Sequence, residues 1–226
     1  VIVEDIPTGS AGNITIQGLA SPAQSILIDG PGSGLFTDTQ GSGAGGNIFV
    51  NANSIMLQNG GTLSAKTSGT ETTATGGTIA VHANQIQLNN QASITATSSG
   101  AGNAGTITMT AEENIVLLGN SSIASAAEGE GNGGLVSLTA PSIEMHGNSN
   151  ILTATAGLGD AGDIDLQGNQ VSLTESFVTA RTQAEGRGGN ITIRGLTGEG
   201  SRATDVNLSD NSQLVSETIG DGEHIQ

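Results

Sequence analysis

The chain has 226 residues, with 36 glycines, about 1% aromatic residues and no Trp, Tyr or Cys. That excludes an ordinary aromatic-rich globular core, disulfide staples and thiolate metal sites. The net charge of −16, from 21 acidic and 5 basic residues, repels nucleic acid and anionic membranes and argues against both as partners. No apolar run approaches the ~20 residues a membrane-spanning helix needs, and Val1-Ile2-Val3-Glu4-Asp5 does not read as a signal peptide.

In chain order, one pattern recurs. Val1/Val3 read as the last strand of an incomplete coil. Gly12 then opens a coil with three apolar pairs at i, i+2: Ile14/Ile16, Ile26/Ile28 and Leu35/Thr37. Gly46 opens the next, with Ile48/Val50, Ile55/Leu57 and Leu63/Ala65. After Gly77 come Ile79/Val81, Ile86/Leu88 and Ile94/Ala96; after Gly105, Ile107/Met109, Ile115/Leu117 and Ile123/Ser125. Gly134 leads Val136/Leu138, Ile143/Met145 and Leu152/Ala154, and Gly162 leads Ile164/Leu166, Val171/Leu173 and Val178/Ala180. Gly189 leads Ile191/Ile193, Val206/Leu208 and Leu214/Ser216, and Gly222–Gln226 reads as the opening of an eighth coil. A spacing of two is the strand period, so each pair marks one inward face.

The lead glycines are separated by 34, 31, 28, 29, 28 and 27 residues. Three short strands per repeat cannot bury their inner faces alone, but stacked copies can. The predicted fold is all-β: one β-solenoid segment over residues 1–226, with three parallel strands per coil. Its coils start near 12, 46, 77, 105, 134, 162 and 189, with partial coils at both ends. Corners between the second and third strands carry Asn59-Gly60, Asn90, Gly119-Asn120, Gly147-Asn148 and Asp210-Asn211. These residue types tolerate the left-handed backbone of a tight turn, and stacked Asn side chains can form a ladder. The lead glycine marks a corner needing positive φ or close backbone approach. In five coils 7 or 8 residues separate the first pair from the second; the separation is 12 in the Gly12 coil and 15 in the Gly189 coil. These two coils share Gly-Asn-Ile-Thr-Ile-x-Gly-Leu, 177 residues apart, so the loops Gly18–Ser25 and Gly195–Asp205 are expected to protrude six coils from one another.

Segments such as Ser33–Ile48 and Gly188–Ile193 resemble the repeat region of bacterial filamentous-haemagglutinin-type exoproteins, the secreted partners of two-partner secretion systems. The resemblance covers essentially the whole chain, without that family's secretion domain. It implies a right-handed β-helix, export through an outer-membrane barrel partner, an extracellular or cell-surface location, and roles in adhesion, aggregation or biofilm.

Catalysis has little to build on. Lys66, Arg181, Arg187, Arg194 and Arg202 are the basic residues. Lys66 and Arg181 fall at equivalent third-strand positions four coils apart, about 19 Å at ~4.8 Å per coil, too far for one site. His82 and His146 each follow an inward residue and are expected to face solvent, and His224 stands alone. No catalytic residue is assigned. Calcium is the fairer candidate: Gly157-Leu158-Gly159-Asp160-Ala161-Gly162-Asp163-Ile164-Asp165 faintly resembles the calcium nonapeptide of β-rolls. Glu128 and Glu130 lie one coil earlier at the same corner, and carboxylates at adjacent turns suit a hard cation. Solvated turn charges are the plainer reading, and no cofactor is assigned. Outward Thr95/Thr97 and Thr153/Thr155 would suit an ice-binding ladder, but Ala124/Ala126 interrupt it. Phe36 and Phe49 stand at outward phase as a small patch. The expected function is a stalk or filament segment, self-associating end to end or laterally or continuing in a longer chain. The alternative is a module binding glycan or a surface receptor through its long loops.

Overall fold

The computed structural model describes residues 9–19, 21–197 and 200–220. Val1/Val3, His224 and the Gly222–Gln226 opening lie outside these residues. The described chain is all β-strand and turn, without helix, in seven coils. Coil 1 holds β1 (Ile14–Ile16), β2 (Ala23–Asp29) and β3 (Gly34–Phe36). Coil 2 has β4 (Ile48–Gln58) and β5 (Thr62–Ser64); coil 3 has β6 (Ile79–Asn89) and β7 (Ser93–Thr95). Coil 4 has β8 (Ile107–Leu118) and β9 (Ser122–Ala127). Coil 5 has β10 (Val136–Thr139), β11 (Ser142–His146) and β12 (Asn150–Thr155). Coil 6 has β13 (Ile164–Gln167), β14 (Gln170–Thr174) and β15 (Phe177–Thr182). Coil 7 has β16 (Ile191–Arg194), β17 (Asp205–Ser209) and β18 (Gln213–Thr218).

Every strand pairs in parallel with its counterpart in the next coil, in the order β1-β4-β6-β8-β10-β13-β16 on the first face. The third strands pair from β3 to β18 as a separate seven-stranded sheet. The register places Ile14, Ile48, Ile79, Ile107, Val136, Ile164 and Ile191 in one column. Ile26, Ile55, Ile86, Ile115, Ile143, Val171 and Val206 form another. Between Ile48 and Val178 these inward aliphatics are almost wholly buried. Burial at ~25 cal/mol per Å² of apolar surface makes these columns the main stabilising element.

The expectation of three separate strands per coil holds only in part. In coils 2, 3 and 4 the first two run on as one strand through a shallow bend. The bend is filled by Ala52, Ala83, Ala111 and Ala140, all buried. Coil 5 breaks after Ala140 because Pro141 has no N–H for the ladder; coil 6 answers with Asn169 and Gln170 N–H, both donating to the Pro141 carbonyl. Coil 4 carries one extra residue at the bend, where Ala83 pairs Ala111 but Gln85 pairs Asn114. This β-bulge explains its eight-residue separation.

A second difference lies in β12. Ile151, not Leu152, aligns with Ile123 and Val178, so Ile151, Thr153 and Thr155 point inward and are buried. The inward assignment of Leu152/Ala154 and the outward one of Thr153/Thr155 are both corrected. Two adjacent aliphatics leave the phase open, and a one-residue slip exchanges the faces. The preceding corner decides: Ser149 Oγ donates to the His146 carbonyl at 2.8 Å, as Ser121 Oγ does to that of Leu118 at 2.6 Å. The two corners therefore superimpose, and Ile151 falls on Ile123.

The lead glycines answer to close approach, not to positive φ. A Cβ on Gly46, Gly77, Gly105, Gly134, Gly162 or Gly189 would collide with the carbonyl oxygen of the preceding lead glycine, whereas one on Gly12 meets nothing within 4 Å among the described residues. None of these glycines is among the positive-φ residues. The corner asparagines do adopt positive φ, between 48° and 61° at Asn59, Asn90, Asn120, Asn148 and Asn211. Their side-chain ladder is short: Asn90 Nδ2 donates to Asn59 Oδ1 at 3.2 Å, and Asn59 Nδ2 to Asp29 Oδ1 at 2.8 Å.

Candidate functional site

The outer surface near the lead-glycine corner is built from two columns of side-chain acceptors. In the first, one residue after the lead glycine, Asn13 Oδ1 accepts the Asn47 N–H at 2.8 Å and Asn47 Oδ1 accepts that of Thr78 at 2.9 Å. Asp163 Oδ1 accepts the Asn190 N–H at 2.7 Å in the same way. In the second column, two residues before the lead glycine, Asn103 Oδ1 accepts the Asn132 N–H at 2.9 Å and Asn132 Oδ1 that of Asp160 at 2.8 Å. Asp160 Oδ1 in turn accepts the Arg187 N–H at 2.8 Å. Between the columns at the C-terminal coils runs a groove of about 570 Å³, lined by Asn132, Leu135, Asp160, Asp163, Arg187 and Asn190. Glycine backbone forms part of its floor.

The candidate calcium ligands are placed by these ladders. Asp160 spends one oxygen on backbone and the other on the Arg187 guanidinium, at 2.9 Å from Nη2 and 3.3 Å from Nε. Asp163 caps the next coil's backbone, while Glu128 and Glu130 are exposed. Among the described residues no group of three or more His, Asp or Glu side chains is arranged to hold a metal ion. The carboxylates of Asp160 and Asp163 thus serve coil-to-coil hydrogen bonding.

The side-chain bonds from Arg187, then its backbone N–H, hold the Asp160 carboxyl below the usual carboxylate range, and Arg187 is shifted upward in return. A depressed carboxyl contributes stability that is present above its unfolded pKa, near 3.9, and lost as pH falls through the lower folded value. Both groups face solvent, so salt screens the pair. Replacing Arg187 by Ala is expected to return the Asp160 titration toward an ordinary carboxylate, read from its side-chain carboxyl NMR signal against pH.

Lys66 and Arg181 do stand in one outward column, through Ala126 and Ala154. His82 and His146 lie at the surface, 3.9 Å from Glu112 and 3.8 Å from Glu144 respectively. Phe36 and Phe49 are exposed on different sheets. The long loops emerge at the bend between the first two faces, but each is shorter than expected. Ala23 and Ser25 already pair with β4, and Asp205 with β14. Leu19, in the first loop, is fully exposed, with a relative exposure of 109%.

A hydroxyl column, buried from Thr67 to Thr182 and open at its two ends, escaped the aliphatic reading. Thr39, Thr67, Ser98, Ala127, Thr155, Thr182 and Thr218 align at the end of the third face. Ser98 Oγ donates to the Ala74 carbonyl at 3.1 Å and Thr155 Oγ1 to that of Gly131 at 2.9 Å, while Thr155 Oγ1 also accepts the Gly157 N–H at 3.3 Å. The signal was present as Thr-x-Gly or Ser-x-Gly at residues 39, 67, 98, 155 and 218. Ala127 is the gap in the column. Ala127→Thr is expected to stabilise by about 1 kcal/mol through a new buried hydrogen bond, and Ser98→Ala to destabilise by about 1–3 kcal/mol because a buried carbonyl loses its donor. Chemical denaturation of the two variants measures both.

Comparison with family models, curated proteins and solved structures returned no match to this chain.

Proposed function

We propose that this chain is a rigid spacer: a stalk or filament segment of a secreted bacterial surface protein that supports adhesion, aggregation or a biofilm matrix. The observation that carries the reading is parallel strand pairing through all six coil-to-coil interfaces, with one β-bulge between coils 3 and 4. Coils stacked at ~4.8 Å make a body about 34 Å long whose stiffness comes from backbone hydrogen bonds parallel to its axis. Part of the surface chemistry agrees: the side chains of Asn13, Asn47, Asn103, Asn132, Asp160 and Asp163 accept backbone hydrogen bonds from the next coil. The location, the outer-membrane secretion partner and the adhesive role rest on the resemblance of the repeats to filamentous-haemagglutinin-type exoproteins. Small-angle scattering of native material should give an elongated rod, while the isolated chain should give an axial length of only about 34 Å. Electron microscopy of native material should show thin fibres with an axial repeat near 4.8 Å. Native material that shows neither extended scattering nor fibres rejects the proposal.

A second reading has one observation in its favour, the fully exposed Leu19 in a loop that departs from the sheet. In that reading the loops 17–22 and 195–204 bind glycan or a surface protein. Shortening both to the lengths found in coils 2 and 6 should abolish ligand capture on a glycan or cell-surface array, leaving the rod intact. Capture retained at full strength by the shortened protein rejects it.

A further inference from the structure

The chain contains two Asn-Gly dipeptides, Asn59-Gly60 and Asn132-Gly133. This pair of residues is the one most open to succinimide chemistry, because glycine has no Cβ to hinder its own nitrogen. The glycine nitrogen attacks the asparagine Cγ; the N–Cγ bond forms, the Cγ–Nδ2 bond breaks, and ammonia leaves with the proton the nitrogen gives up. Water then opens the ring at either carbonyl, giving aspartate or isoaspartate.

Both nucleophilic nitrogens are occupied by the following coil. Gly60 N–H donates to the Asn90 carbonyl at 3.0 Å, and Gly133 N–H to the Asp160 carbonyl at 2.9 Å. The carboxamides under attack are held as well: Asn59 between Asp29 and Asn90, and Asn132 by the Asp160 N–H. Neither ring can close until the nitrogen leaves its acceptor, which requires the coils to part at that corner. We propose that Asn59-Gly60 and Asn132-Gly133 are modification sites gated by coil separation, so that succinimide formation records each local unzipping of the solenoid. At Asn59 the record is one-way. The product carboxylate faces Asp29, which had accepted a hydrogen bond from the lost amide, and an isoaspartate adds a backbone methylene that offsets the corner.

The test incubates folded protein and urea-unfolded protein at the same mildly alkaline pH. Aspartate and isoaspartate at positions 59 and 132 are then quantified by peptide mass spectrometry. Conversion at both positions is expected to be at least about tenfold slower in the folded protein, the factor set by the population of locally opened coils. Equal rates in the two states overturn the proposal. Asp29→Ala removes the side-chain partner of Asn59 but leaves the Gly60–Asn90 backbone bond. With its fold checked by circular dichroism, this variant should convert at position 59 as slowly as the parent. A rise to the unfolded rate overturns the assignment of protection to the backbone donor.

Discussion

Gly105→Ala is expected to destabilise the solenoid by about 3 kcal/mol or more, while Gly12→Ala, at the equivalent position of coil 1, is expected to be close to neutral. A Cβ at position 105 would overlap the Gly77 carbonyl oxygen and press on the Gly76 and Gly77 carbonyl carbons, so backbone must yield on both sides. Gly105 cannot retreat, because its N–H donates to the Ala96 carbonyl at 2.7 Å and its own carbonyl accepts Ser125 Oγ. Separating the coils there also breaks neighbouring ladder bonds, whose unmade partners are costly when buried. Denaturant midpoints of the two variants measure the difference. Equal midpoints would mean that the coils tolerate wider spacing at this corner, contrary to the geometry of the whole glycine column.

Most of the fold was legible because its signals were chemically distinct. The lead glycines and their i, i+2 aliphatics mark a strand period and a repeat period together. The structure places Ile79, Ile107 and Val136 one above another, as that pattern requires. The failures came where the chemistry was ambiguous. Ile151-Leu152 offers two apolar neighbours to one inward slot, and only the bond from Ser149 to the His146 carbonyl fixes the choice. The Thr and Ser column at the end of the third face was hidden because hydrophobic periodicity does not count a hydroxyl, although Thr155 and Ser98 are as buried as their aliphatic neighbours. Burial of such a group is tolerated because each hydroxyl finds a backbone partner across the corner. Asp160 and Asp163 read as free carboxylates in sequence because their donors lie 27 residues away in each case, at Arg187 and Asn190.

The pairing of Arg194 with Asp165 shows the same distance problem. The two side chains meet across adjacent coils, with Nε 3.1 Å from Oδ1, because β13 and β16 lie in register. Nothing in a 29-residue separation announces the contact until the coil length is known. Once it is known, outward residues one period apart become candidates for ion pairs, as directly opposed residues do in any sheet.

Ile115→Ala is expected to cost about 2–5 kcal/mol, the range for a buried aliphatic truncated in a close-packed interior, whereas Val206→Ala should cost under about 1 kcal/mol. Both residues stand in the same inward column of the second face. Ile115 is fully buried between Ile86 and Ile143, while Val206 is 45% exposed and, among the described residues of its column, is paired with Val171 alone. The comparison therefore holds chemistry and position within the coil nearly constant and varies only whether a coil covers the site. Because each coil touches only its neighbours, a central cavity weakens two interfaces at once and favours separation of the rod into two halves. Unfolding of the Ile115 variant should accordingly broaden, with hydrogen-exchange protection falling first in β6, β8 and β11. A sharp single transition with uniform loss of protection along the chain would show instead that the seven coils unfold as one cooperative unit.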